Sequence, residues 1–204
     1  MALNFCNNNS LSAITSIPAA ISGGSLNLIS TQTASSSSSL SFTSGIDSTY
    51  KEYIFKYINC HPSVNIPHWT FQGSTNAGSS FGVTITSTNF NAYHAENDSE
   101  AVIEYVAPGD LAQSTDYQRL LTEVNYSDDG SVSGALHLFE PSSTTFVKHF
   151  IATSQGMFGP TSKAYSWNQY VAGYFNTTSA IDAIDFKFSS GNIDSGVIKL
   201  YGVS

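Results

Sequence analysis

Val132-Ser-Gly-Ala-Leu-His-Leu-Phe139, Thr145-Phe-Val-Lys-His-Phe-Ile-Ala152 and Trp167-Asn-Gln-Tyr-Val-Ala-Gly-Tyr-Phe175 follow one another in the last third of the chain. Val, Ile, Phe, Tyr and Thr dominate each run, and Pro141 closes the first. β-Branched and aromatic side chains fit a pleated, half-buried surface, so such runs between turn formers read as strands. Ile184–Phe188 and Val197–Tyr201 complete the pattern on either side of the polar turn Ser189–Gly196.

The same punctuation extends towards the N-terminus. Leu26–Thr31 reads as a first strand, Ser35–Ser39 as a turn, and Leu40–Thr43 resumes in period two. Tyr53–Ile58 carries bulky groups on both faces, as expected near the middle of a sandwich. Trp69–Ser74 alternates and turns at Asn76–Gly78, and Phe81–Thr86 alternates again. Ala92–Asn97 fits a helical turn or a strand end. Val102–Val106 stops at Pro108-Gly109, and Asp116–Val124 fits helix or strand. Many short strands and almost no helix predict an all-β fold, an antiparallel two-sheet sandwich of jelly-roll type. We place it over residues 25–204 as one domain. Residues 1–24 read as an extended N-terminal arm or linker, with Ser22-Gly-Gly-Ser25 at its end. Leu11, Ile14, Ile17 and Ile21 would line one side of a short helical turn able to dock on a partner, and Pro18 limits its length.

Composition narrows the function. Charged residues make up 11% of the 204, and aromatic residues 13%. Ser, Thr and Asn must therefore supply most of the polar surface, and the aromatic content argues against disorder. Seven Lys and Arg stand against fifteen Asp and Glu, for a net charge of −8. Without a basic cluster, the expectation is no nucleic-acid partner and no attraction to anionic lipid. The N-terminus shows no basic n-region and no apolar h-region, so no signal peptide is expected. No apolar run reaches the roughly 18 residues of a membrane span. Cys6 and Cys60 are the only cysteines; the expected state is two free thiols in a reducing cytosol, with a Cys6–Cys60 disulfide as the alternative.

Motifs for chemistry are thin. His94-Ala-Glu96 would place two metal-capable groups on one strand face, with Glu100 nearby, but an exposed polar loop explains them as well. His137 and His149 sit inside strand patterns, where hydrogen-bonded or surface histidines are expected. Asn125–Gly130 resembles a calcium loop only in composition, and a type I′ turn at Asp129-Gly130 accounts for it. In Gly130-Ser-Val-Ser-Gly134 the nucleophile position holds Val132, and Ser48-Thr-Tyr-Lys51 lacks its companion motifs. We therefore expect no catalytic, cofactor-binding or metal residues and no enzyme activity. Tyr50, Tyr57, Tyr93, Tyr105, Tyr117, Tyr126, Tyr165, Tyr170 and Tyr174 are candidates for a binding surface, with core packing as the other reading for each.

Several phrases carry a resemblance. Leu28-Ile-Ser-Thr-Gln-Thr33, Phe42–Tyr50, Ile58-Asn-Cys-His-Pro62, Ala92-Tyr-His94 and Asp110–Ser114 occur in order. His137–His149, Gly173–Thr178 and Phe188–Gly196 follow. Together, over about residues 26 to 204, the chain resembles small virion structural proteins of tailed phages of the marine cyanophage type. The resemblance implies a capsid decoration protein or a tail-appendage module, assembled in the host cytoplasm and bound to other virion proteins. A homo-oligomer is expected, a trimer being one closed form. The alternative is a carbohydrate-binding adhesin module for a host surface glycan, which calls for exposed aromatics beside Asp or Asn.

Overall fold

The computed structural model describes residues 26–127, 129–158 and 164–204. The proposed arm, with its apolar spacing and Cys6, lies outside them. Among the described residues, twelve strands form two antiparallel sheets. In chain order they are β1 (Leu26–Ser37), β2 (Leu40–Phe42), β3 (Glu52–Pro62), β4 (Trp69–Ser74), β5 (Ile85–Ala95) and β6 (Ala101–Tyr105). Then come β7 (Gln118–Leu121), β8 (Val132–Phe139), β9 (Lys148–Phe158), β10 (Tyr165–Phe175), β11 (Ala183–Phe188) and β12 (Ile193–Val203). The large sheet has the order β1-β12-β3-β8-β9-β10-β5-β6, and the small one β2-β11-β4-β7.

This topology is a jelly roll with an enlarged sheet. β1 to β4 alternate between the sheets, and the returning pair β11 and β12 inserts between β2 and β4 and between β1 and β3. That nesting places β1 beside β12 in a double Greek key. β5, β6, β9 and β10 then widen one sheet to eight strands, while the other keeps four.

Aromatic side chains join the sheets. Phe186 of β11 lies 5.4–6.4 Å, ring centre to ring centre, from Phe42, Phe55, Tyr57, Trp69 and Phe71. Phe71 meets Phe150 edge-on at 5.0 Å and so carries the core across to β9. Edge-on and offset rings satisfy the aromatic quadrupole while burying large apolar areas. Tyr57 is enclosed, and its hydroxyl donates to Thr153 O at 3.2 Å and lies 2.5 Å from Ser154 Oγ. Burial pushes that phenol's pKa well above its ordinary value.

Beyond the small sheet's edge the inner face of the large one turns polar. Ser87, Asn89 and Asn91 of β5 and Gln169 of β10 point inward and are buried. Most of these polar groups are bonded to the segment that covers them. Asn89 Nδ2 donates to Gly109 O, Ser87 Oγ to Gln118 Oε1, and Gln169 Nε2 to Asn89 Oδ1. Thr122 N–H donates to Gln169 Oε1. Hydrogen bonding offsets the cost of burying Asn89 and Gln169, whereas the buried Asn91 amide has no hydrogen-bond partner among the described residues.

Several sequence expectations need correction. The serine run reads as a turn, yet β1 continues through it to Ser37, pairing Ser35 with Ser195 and Ser37 with Ile193. β12 likewise begins at Ile193, inside the expected turn. Phe81–Thr84 alternates but forms no strand. It is the crossing from the small sheet to the large one, tied by Gly82 N–H to Gly73 O and by Asn176 N–H to Thr84 O. β5 instead runs from Ile85 through Ala95, so Ala92–Ala95 is strand. Of Asp116–Val124, Gln118–Leu121 is strand. Gly130 does not take the positive φ of a type I′ turn; its N–H closes on Ser127 O at 2.6 Å.

Candidate functional site

The outer face of the large sheet carries the molecule's main concentration of exposed apolar groups. Strand alternation decides which residues reach it. On β9 and β10 the inward positions are Phe150, Ala152, Trp167, Gln169 and Val171, so Ile151, Tyr170, Ala172 and Tyr174 face out. On β5 the inward polar set leaves Phe90 outside. Register aligns these residues in cross-strand rows. One row reads Tyr201, Ile54, His137, Ile151, Ala172 and Thr88; the next reads Lys199, Lys56, Ala135, Thr153, Tyr170, Phe90 and Tyr105.

Apolar side chains in and beside these rows are well exposed, 57% at Leu28 next to Tyr201, 52% at Ile151, 45% at Phe90, 56% at Tyr105 and 78% at Ile103 opposite Ala92, while Ile54 is buried. Singly exposed apolar residues are ordinary, but a contiguous patch marks an interaction surface. The patch also runs out to the free edge strand β6, whose unpaired backbone is a template for association. Phe90 and Tyr170 stack on one another, 4.9 Å between centres and 11° from parallel. One face of each ring is thus used, and the pair presents edges outward. The Tyr105 hydroxyl donates to Asp110. Charge on the face gathers at its β3–β12 side, where Lys56 and Lys199 are cross-strand partners, Glu52 accepts from His137 Nδ1 at 2.6 Å, and Lys56 lies 5.5 Å from the centre of the Tyr201 ring.

The candidate tyrosines divide between surface and core. Tyr105, Tyr170 and Tyr174 belong to the outer face, whereas Tyr57 is core. Tyr50 packs edge-on against Tyr53 at 5.8 Å. Tyr93 and Tyr165 turn to the inner side, where both hydroxyls donate to Glu100. Tyr126 is exposed in the loop before β8, and Tyr117 lies on the small sheet. Sequence reading misses Phe90, Ile103 and Ile151. The available signal was parity: once Trp167 and Val171 are set inward, Tyr170 must face out, and Phe90 and Ile151 lie in neighbouring rows.

The motif candidates do not converge. His94 lies on the outer face with Nε2 at 3.1 Å from Asp98 Oδ1, whereas Glu100 is held by the inward tyrosines. Asn125 Oδ1 accepts from Ser127 N–H, and Val132 is core. Lys51 Nζ pairs with Glu140 at 2.9 Å. His149 lies edge-on to Tyr174, at 6.1 Å. Among the described residues, no group of three or more His, Cys, Asp or Glu is placed to hold a metal ion. Cys60 is a free, fully buried thiol, and burial pushes its pKa up to about 12. Among them, too, no helix is long and apolar enough to cross a membrane. Comparison with profiles of known protein families, with curated proteins and with solved structures returned no match to this chain.

Proposed function

We propose that this chain is a structural module of a phage virion, a capsid decoration or tail-appendage protein, that assembles with copies of itself through the outer face of its large sheet. The contiguous apolar face carries the reading. The available area suits it: eight strands at about 4.8 Å spacing and on average about 10 residues at 3.3 Å give a face on the order of 1,300 Å². A standard stable interface takes about 800 Å² from each partner. The mutual stacking of Phe90 and Tyr170 favours a protein partner over a sugar platform, because edges interlock with side chains while a pyranose needs a free ring face. The virion assignment rests on the sequence resemblance alone. Two measurements test the proposal: the solution mass of the purified chain, and mass-spectrometric detection of the chain in purified particles. A monomer that is absent from particles refutes it.

A further inference from the structure

The outer face of the small sheet, opposite the proposed assembly surface, holds a polar groove of about 500 Å³. That volume lies in the range of small-ligand sites. Its floor is set by register. Thr70 of β4 pairs with Lys187 of β11 on one side and with Arg119 of β7 on the other, so two cations flank one small side chain. The Lys187 ammonium sits 3.9 Å from the centre of the Tyr117 ring, and Tyr117 lies two residues before Arg119. Tyr117 is fixed in turn, its hydroxyl donating to the buried Asp185 at 2.9 Å. A third donor is His68. Its Nδ1 accepts the Glu123 N–H at 3.2 Å, which leaves the proton on Nε2. Burial and then the Arg119 charge hold the His68 pKa below its ordinary value.

Arg119 is the chain's only arginine. Among the described residues it makes no ion pair and its guanidinium makes no hydrogen bond, although it is half-buried and the chain carries fifteen carboxylates. A half-buried guanidinium has five donors in a rigid fork suited to a planar oxyanion. Two carboxylates, Asp110 and Asp116, also line the groove. Each takes one hydroxyl from within the chain, from Tyr105 and Ser114 respectively, and keeps further acceptor capacity. A bare anion would be repelled by them. A ligand bearing both an oxyanion and several O–H donors satisfies both sets.

We propose that this groove binds an acidic saccharide, with its carboxylate or sulfate between Arg119 and Lys187 and its hydroxyls on Asp110 and Asp116. The groove meets the assembly face at the Tyr105–Asp110 hydrogen bond, whereas Arg119 and Lys187 lie on the other sheet, so Arg119→Gln tests the groove without touching that face. The experiment is NMR titration of the full chain with glucuronate, N-acetylneuraminate and sulfated glucose, with glucose, acetate and inorganic sulfate as controls. At least one acidic sugar shifts the His68, Thr70 and Lys187 resonances, with a dissociation constant of about 1 mM, as befits a single sugar. Arg119→Gln weakens that binding about tenfold or more, a loss of about 1.4 kcal/mol. Asp110→Asn weakens the sugar but does not weaken acetate, because one repelling charge is removed. An unchanged melting temperature in both variants separates lost binding from lost folding. The proposal is overturned if no acidic sugar binds, if glucose binds as well as its acidic counterparts, if acetate or sulfate binds as tightly as the sugars, or if a folded Arg119→Gln variant binds unchanged.

Discussion

Replacing Phe186 with alanine removes the ring on which the two sheets meet. Phe186 is fully buried among five aromatic neighbours at 5.4–6.4 Å, and its partners come from β2, β3 and β4, so no single strand can move to fill the space. A Phe→Ala change in such a core costs about 3–5 kcal/mol, and the lost ring pairs place this site near the upper end. For a domain of this size, about 4 kcal/mol lowers the melting temperature by about 8–16 °C. The same substitution at Phe90 is the control. That ring is 45% exposed and has one ring partner, Tyr170, so its loss costs about 1 kcal/mol. Urea melts of both variants at two protomer concentrations measure the two costs, because any share that comes from weakened assembly at Phe90 shows as a concentration dependence. Phe186→Leu keeps most of the volume and costs about 1.5 kcal/mol, which retains a readout if the alanine variant does not fold. A cost below about 2 kcal/mol for Phe186→Ala, or equal costs at the two sites, would refute the placement of the core between the sheets.

Three further outcomes follow from the same packing. In a Cys6→Ala background, Cys60 resists iodoacetamide in the native protein at neutral pH and reacts on unfolding, because its thiol is fully buried with a pKa near 12; rapid native alkylation would contradict this. A Cβ on Gly134 would strike Thr153 O and lie 2.8 Å from the Tyr57 hydroxyl, so Gly134→Ala costs about 1–3 kcal/mol in a chemical melt; a neutral effect would mean that β8 and β9 are less closely apposed than described. Tyr57 has a folded pKa raised above its unfolded value near 10, so its stability contribution is complete below that value and is lost as pH rises past it. Stability therefore falls above about pH 10, and less steeply in Tyr57→Phe, as followed by urea midpoint against pH.

The strands that were legible in the sequence are those whose apolar side faces the core. Tyr53–Ile58, Trp69–Ser74, Trp167–Phe175 and Ile184–Phe188 fall on β3, β4, β10 and β11 because large apolar and aromatic side chains occupy their core-facing positions. β5 was obscured because it inverts the rule: Ser87, Asn89 and Asn91 point inward, the first two into a hydrogen-bonded network, and Phe90 points out. The serine run of β1 was obscured because an edge strand can be held by pairing with β12 whatever its side chains. The outer-face patch was half legible through Tyr105, Tyr170 and Tyr174. Its other members required the strand order, which brings β5, β9 and β10 together across long sequence separations. The cationic groove was not legible, because Arg119 and Lys187 become neighbours only through Thr70.

The central claim is that copies of this chain assemble through the outer face of the large sheet. Light scattering across a range of concentrations tests it directly, comparing the natural chain with an Ile151→Lys, Phe90→Lys double variant. The account predicts a discrete multiple of the 21.8 kDa protomer for the natural chain and a folded 21.8 kDa monomer for the variant. A monomeric natural chain at every concentration, or an oligomer that survives both charges, would contradict it.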